Sequence, residues 1–118
     1  MIELFIPVRL ISEANNLDHW TKKHRRKVKV KAMLEKYWNI PYFDNILPCT
    51  IDLIRVAPRK LDFDNLVNSM KSVRDFVADK LVPGLQAGRA DDDDRMTWRY
   101  SQEKGKPKEY GLIIRMSF

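Results

Sequence analysis

The segment LDFDNLVNSMKSVRDFVADKL, residues 61–81, determines how this chain is organised. Its apolar residues recur at steps of three and four, as they do on the buried face of an amphipathic helix. They are Leu66, Met70, Val73, Val77 and Leu81. Asp64 is expected to cap the start of this helix, and Pro83-Gly84 to end it. The segment therefore predicts one long helix that packs against the core through this stripe.

Apolar runs on both sides of this helix predict the remaining elements. Residues 2–6, 50–56, 96–101 and 110–116 read as strands, and about residues 20–38 read as a first helix. The polar stretch 103–109 contains Gly and Pro and suits a hairpin connection between the last two strands. The order β-α-β-α-β-β predicts an α+β fold. We expect one compact domain, residues 1–118, with two main helices packed on a mixed sheet.

The composition favours a domain that binds polyanions. The 118 residues are enough to bury a core, and 22 Lys and Arg against 16 Asp and Glu give a net charge of +6. Such a balance favours nucleic acid or acidic membranes. Cys49 is the only cysteine, which excludes an internal disulfide and a CxxC zinc site. Because a membrane span and a secretory signal are both missing, we expect a soluble, cytoplasmic protein with no membrane partner.

Two acidic clusters flank the long helix. Asp62 and Asp64 are two residues apart, so their side chains project to one side of an extended backbone. The second cluster is the tetrad Asp91-Asp92-Asp93-Asp94. Folding four carboxylates near the first pair would raise their pKa values unless a cation neutralised them. Mg²⁺ commonly binds one or two carboxylates together with waters and a substrate phosphate. The alternative is a capped helix and a solvated acidic loop.

Polar residues on the long helix extend this candidate site. Asn68, Lys71 and Asp75 fall four, seven and eleven residues after Asp64, which predicts one shared face. Lys71 on that face can offset negative charge that builds on a phosphoryl group. The alternative is a solvated helix face with a Lys71–Asp75 ion pair, which contributes only about 0.3–0.5 kcal/mol.

The first helix carries the candidate phosphate-binding patch. Residues 22–27 read KKHRRK, and the predicted DNA-binding side chains recur along this helix: Lys22, Lys23, Arg25, Arg26 and Lys29. If several of them neutralise phosphates, binding should weaken steeply with salt. The alternative is a solvated helix face. HExxH, a Gly-rich phosphate loop and GxSxG are all missing from the sequence, which counts against other catalytic schemes. We expect no small-molecule cofactor.

The order of these motifs resembles the RusA family of Holliday junction resolvases, which phages and prophages often carry. The resemblance covers roughly residues 59–118 and rests on Asp62-x-Asp64-Asn65-Leu66, followed by Lys71, Asp75, Leu81, Gly84 and the tetrad. It implies a homodimer that binds branched DNA, chiefly four-way junctions, in recombination and repair. It also implies paired phosphodiester hydrolysis with Mg²⁺, for which Mn²⁺ can substitute.

The resemblance also assigns roles to residues. The family's acidic triad corresponds to Asp62, Asp64 and one aspartate of the tetrad, and a count back from Met96 favours Asp93, supported by Asp92. Part of the family has its essential lysine at the position of Asn68, whereas another branch has it at the position of Lys71. The two positions differ by nearly one helical turn, about 4.5 Å. Asp75 and Asn68 are then supporting residues.

The rival interpretation belongs to a different functional class. A basic nucleic-acid-binding protein without catalytic activity would have the same net charge and the same basic helix. Its acidic loop would be structural or regulatory, and divalent ions would not be needed for binding.

Overall fold

The computed structural model of the chain describes residues 1–12, 19–40, 47–83 and 90–118. Its strands and helices are β1 (Ile2–Ile6), α1 (Trp20–Tyr37), β2 (Cys49–Ala57), α2 (Phe63–Ser69), α3 (Lys71–Leu81), β3 (Met96–Lys104) and β4 (Gly111–Ser117). A short 3-10 turn, Ala90–Asp92, comes before β3. The α+β class and the predicted order are confirmed, with the second helix divided in two. No helix in the described ranges is long and apolar enough to cross a membrane.

The sheet has the strand order β1-β4-β2-β3. β4 is antiparallel to both β1 and β2, whereas β2 and β3 are parallel. The predicted hairpin between the last two strands is therefore wrong, because β2 lies between them. The connection passes the end of β2, where Gly105 N donates to Ala57 O at 2.8 Å. The nearly continuous apolar sequence of β2 suits this central position, because neighbours flank it on both edges.

The core lies between the sheet and the helices. Fully buried side chains alternate along the two central strands, as in Ile51, Leu53, Leu112 and Ile114. The predicted helical stripe meets them: Leu66, Met70, Val73 and Val77 are buried, and Leu81 packs at the edge of the core. The periodicity of the sequence thus identified the buried helix face correctly, because such a stripe is stabilised only when it leaves water.

The predicted long helix is broken at Met70, whose φ of −97° and ψ of 0° end α2 before α3 begins. Just before the break, the Ser69 hydroxyl donates to Leu66 O at 2.7 Å and competes with the helical backbone pattern. The cap is also Asp62 rather than Asp64, since Asp62 Oδ1 accepts from Asn65 N at 2.9 Å. α3 ends at Leu81, before Pro83 as predicted, and Gly84 lies outside the described residues.

Candidate nucleic-acid interface

A cleft of about 410 Å³ separates α1 from the α2–α3 junction. We call it the basic cleft. The α1 side of its lining comprises Lys23, His24, Arg26, Lys27 and Val30, and the opposite side comprises Asn68, Ser69, Lys71, Ser72 and Asp75. Arg9, Leu10 and Ile11 complete the lining. The fold therefore brings part of the basic patch to face three residues that the sequence placed on one helix face.

Not all of the predicted residues reach this cleft. Lys22, Arg25 and Lys29 are exposed on α1 without lining it, although they flank its basic wall. Asp64 is exposed in the first turn of α2 and does not line the cleft either. Arg9 was missed, because nothing in the sequence indicates that the loop after β1 folds over the α2–α3 junction.

Among the described residues that line the basic cleft, cationic side chains outnumber carboxylates. Its cationic lining residues are Arg9, Lys23, Arg26, Lys27 and Lys71, whereas Asp75 is the one carboxylate among the described lining residues. Such an excess of positive charge in a concave surface attracts phosphate groups. The cleft is therefore a candidate surface for phosphate groups.

Asp75 is the chemically distinctive group of the basic cleft. Burial raises its pKa, and repulsion from Asp91 and Asp79 acts in the same direction. Lys71 and Lys27 partly oppose this change, since each favours the ionised carboxylate. Asp75 consequently gains from any additional cation or donor that approaches it.

The first acidic pair lies where α2 begins. Asp62 Oδ1 accepts from the Asn65 amide, and Asp62 Oδ2 accepts from Asn65 Nδ2 at 3.1 Å. Ser12 Oγ in turn donates to Asn65 Oδ1 at 2.7 Å and to Asn68 Oδ1 at 3.3 Å. The Asn of the DxDN motif therefore connects the helix cap to the loop after β1. This role was not apparent from the sequence, because Ser12 is distant along the chain.

The second acidic cluster is held by an arginine of α3. Arg74 Nη2 donates to Asp91 O at 3.0 Å, and Arg74 Nε lies 3.4 Å from Asp91 Oδ2. The same guanidinium donates through Nη1 to Tyr100 OH at 2.9 Å and stacks 4.8 Å from the centre of the Trp98 ring. Arg74 thus ties the start of the tetrad to both α3 and β3, a role that no local pattern in the sequence indicates.

Asp93, the tetrad residue favoured as a metal ligand, has an arginine partner of its own. Arg95 Nη2 and Nε lie 2.8 and 3.0 Å from its two oxygens, and Arg95 N also donates to Oδ1 at 3.0 Å. These hydrogen bonds from Arg95 lower the pKa of Asp93 to about 2. Asp92 is exposed in the 3-10 turn beside it. Asp93 is therefore ionised at neutral pH and already neutralised by a forked donor.

The two acidic clusters lie at opposite ends of β3. The residue before Asp62 is bound to Gln102, with Leu61 N to Oε1 at 2.9 Å and Nε2 to Leu61 O at 2.7 Å. Asp93 precedes Met96, and Gln102 lies six residues later in β3, about 20 Å along an extended strand. No three His, Cys, Asp or Glu side chains within the described ranges are grouped to hold a metal ion. Comparisons of the chain with family models, curated proteins and solved structures find no match.

Proposed function

We propose that this chain is a metal-dependent endodeoxyribonuclease that binds four-way DNA junctions and hydrolyses them by paired cuts. The observation that supports it most is the basic cleft, in which Lys71 and Asp75 face the cationic side of α1. A homodimer would present two such clefts to a junction that itself has two-fold symmetry.

Different cationic side chains would contact different parts of the DNA. Lys23, Arg26 and Lys27 contact backbone phosphates inside the cleft, and Lys71 neutralises charge on the phosphate that is cut. The exposed residues Lys22, Arg25 and Lys29 contact the arms of the junction. Binding then depends on salt in proportion to the number of phosphates that these side chains neutralise.

Asp62 and Asp64 are the carboxylates that would hold Mg²⁺ or Mn²⁺. Both are exposed, and each oxygen of Asp62 keeps a lone pair beyond its bond to Asn65. Two carboxylates suffice for Mg²⁺ when waters and a substrate phosphate complete its coordination. Such an ion would lower the pKa of a bound water and would stabilise negative charge on the leaving oxygen. Asp92 or Asp93 would join only after a rearrangement, because they lie at the other end of β3 and Asp93 is paired with Arg95.

The rival function, a nucleic-acid binder without catalysis, is favoured by one set of contacts. Asp62 caps α2, Asp91 binds Arg74 and Asp93 binds Arg95. Each of these acids therefore has a structural use that requires no metal. In that case the basic cleft would bind DNA, and divalent ions would neither be needed nor cause strand breaks.

Cleavage of a synthetic mobile four-way junction in Mg²⁺ separates the two functions. We expect cleavage by the unmodified protein and a loss of at least about 100-fold in Asp64→Asn, with junction binding in EDTA retained. Asp52→Asn is the matched control, since it removes a carboxylate that pairs with Arg99 on β3. No cleavage by the unmodified protein on any junction sequence would exclude the nuclease and favour the binder. Full cleavage by Asp64→Asn would exclude Asp64 as a metal ligand of the nuclease.

A further inference from the structure

A second cavity, of about 350 Å³, opens where the loop after β1 passes the end of β2. Its lining is Arg9, Arg55, Ala57, Pro58, Arg59 and Tyr110, and we call it the arginine cavity. Three of these six residues are arginines, and no acidic side chain in the described part of the chain lines it. The composition of the cavity thus suits an anion.

Arg55 is the unusual residue of the arginine cavity, because it is only 7% exposed although it is charged. Its Nε donates to Leu10 O at 3.1 Å and its Nη1 donates to Arg59 O at 2.8 Å. Both acceptors are neutral carbonyls, and no carboxylate of the described residues pairs with Arg55. Buried charges in proteins are normally paired with an opposite charge. The cavity therefore contains positive charge that an anion would compensate.

The electrostatic surroundings of Arg55 lead to the same view. Burial lowers the pKa of Arg55 and the nearby Arg9 lowers it further, whereas Tyr110 raises it. An arginine nevertheless keeps its proton in proteins. The repulsion between the two guanidinium groups consequently remains unless a ligand with negative charge lies between or beside them.

The position of Arg9 and Arg59 connects this cavity to the proposed site. Arg9 stacks on Tyr110, 4.7 Å from the ring centre, and lines both the arginine cavity and the basic cleft. Arg59 is exposed and precedes the Asp62 cap by three residues. A strand that leaves the basic cleft past Arg9 therefore meets the arginine cavity close to the start of α2.

We propose that the arginine cavity binds a phosphodiester group of a nucleic-acid strand that continues out of the basic cleft. Arg55, fixed by two carbonyls, forms the floor, and Arg9 and Arg59 close around the phosphate from the exposed side. Guanidinium groups suit this role because their forked donors match two phosphate oxygens at once. This inference shares with the proposed function the nucleic-acid ligand, but it does not depend on cleavage.

Thermal unfolding in inorganic phosphate tests the cavity without DNA. At matched ionic strength, we expect the melting temperature of the unmodified protein to rise with phosphate over chloride and to approach saturation, because the ligand binds only the folded state. Arg59→Gln should lose most of this rise, whereas Arg99→Gln, an exposed arginine paired with Asp52, should keep it. General stabilisation by phosphate acts on both variants alike. An equal rise in Arg59→Gln and the unmodified protein would overturn the proposal.

Binding of DNA in EDTA tests whether the anion is a nucleic-acid phosphate. The slope of log affinity against log salt should shrink by up to about 0.9 in Arg59→Gln, because one phosphate loses part or all of its neutralisation, and it should not change in Arg99→Gln. If phosphate stabilises the protein but the slope is unaltered, the cavity binds free phosphate and the proposal fails. Absence of DNA binding would also overturn it. A protein that binds with the expected slopes but cuts no junction would refute only the nuclease.

Discussion

The two acidic clusters of this chain consist of the same side chain, yet their neighbours differ. Asp62 bonds to a backbone amide and to the side chain of Asn65, both of which are neutral. In the tetrad, Asp91 and Asp93 are each bound by an arginine. A carboxylate that already has a guanidinium partner gains less from a metal ion than one with neutral partners. The comparison favours the start of α2 as the place where a divalent cation would bind.

The same contrast appears between two individual acids. Burial and neighbouring carboxylates raise the pKa of Asp75, whereas hydrogen bonds from Arg95 lower the pKa of Asp93 to about 2. Lys71 and Lys27 thus offset only part of the cost of ionising Asp75, whereas Arg95 strongly stabilises the ionised form of Asp93.

Removal of Arg74 should have the largest effect on stability. Arg74→Met loses the bonds to Tyr100 and Asp91 and the stacking on Trp98, and we expect the free energy of unfolding to fall by about 2–3 kcal/mol. Urea denaturation measures this change. Arg95→Met is the matched control, since it breaks the other arginine–aspartate pair of the tetrad at an exposed position and should alter stability little. Equal decreases in the free energy of unfolding of both variants would show that the two arginine–aspartate pairs of the tetrad contribute equally to stability.

Two substitutions of Asp62 separate its role as a helix cap from the role of its negative charge in metal binding. Asp62→Ala should lower the free energy of unfolding by about 1 kcal/mol, because the helix start loses its acceptor. Asp62→Asn should keep most of that stability, since asparagine is an equally good cap. Calorimetric titration of Mg²⁺ or Mn²⁺ should show binding abolished in both. Metal uptake by Asp62→Asn equal to that of the unmodified protein would mean that the two clusters do not differ as proposed.

Asp75→Asn should have the smallest effect on the free energy of unfolding, and the sign of this effect depends on pH. A raised pKa means that the folded protein holds this proton more tightly than the unfolded chain does, so stability falls as pH rises from about 3.9 through the folded value. Asp75→Asn should therefore be more stable than the unmodified protein at neutral pH and no more stable below about pH 3. Asp93 has the opposite sign, since its contribution is lost as pH falls towards 2. Urea denaturation at several pH values measures the difference.

Local patterns in the sequence predicted the structural features that depend on residues close together along the chain. The stripe from Leu66 to Val77 and the shared cleft position of Asn68, Lys71 and Asp75 follow from helical spacing. The turn at residues 103–109 was recognised from its composition, but composition does not say which strands a turn joins.

Long-range contacts explain what the sequence did not show. Arg74 finds Asp91 seventeen residues away and Tyr100 on another element, β3. Arg55 stands in an apolar strand and becomes notable only when the loop after β1 covers it. Whether the two acidic clusters can share one ion likewise depends on their distance in the folded protein. The strand β3 lies between them and sets that distance.

The break at Met70 makes the two halves of residues 61–81 separate units. Met70 is fully buried at the junction of α2 and α3, so each helix has its own orientation about its axis. An inserted residue within α2 would turn Asp62 and Asp64 by about 100° around the helix axis, while Lys71 and Asp75 would keep their place in the cleft. The same rotation would break the hydrogen bonds of Asn65 to Ser12 and of Leu61 to Gln102, so contacts outside α3 fix the position of the acidic half.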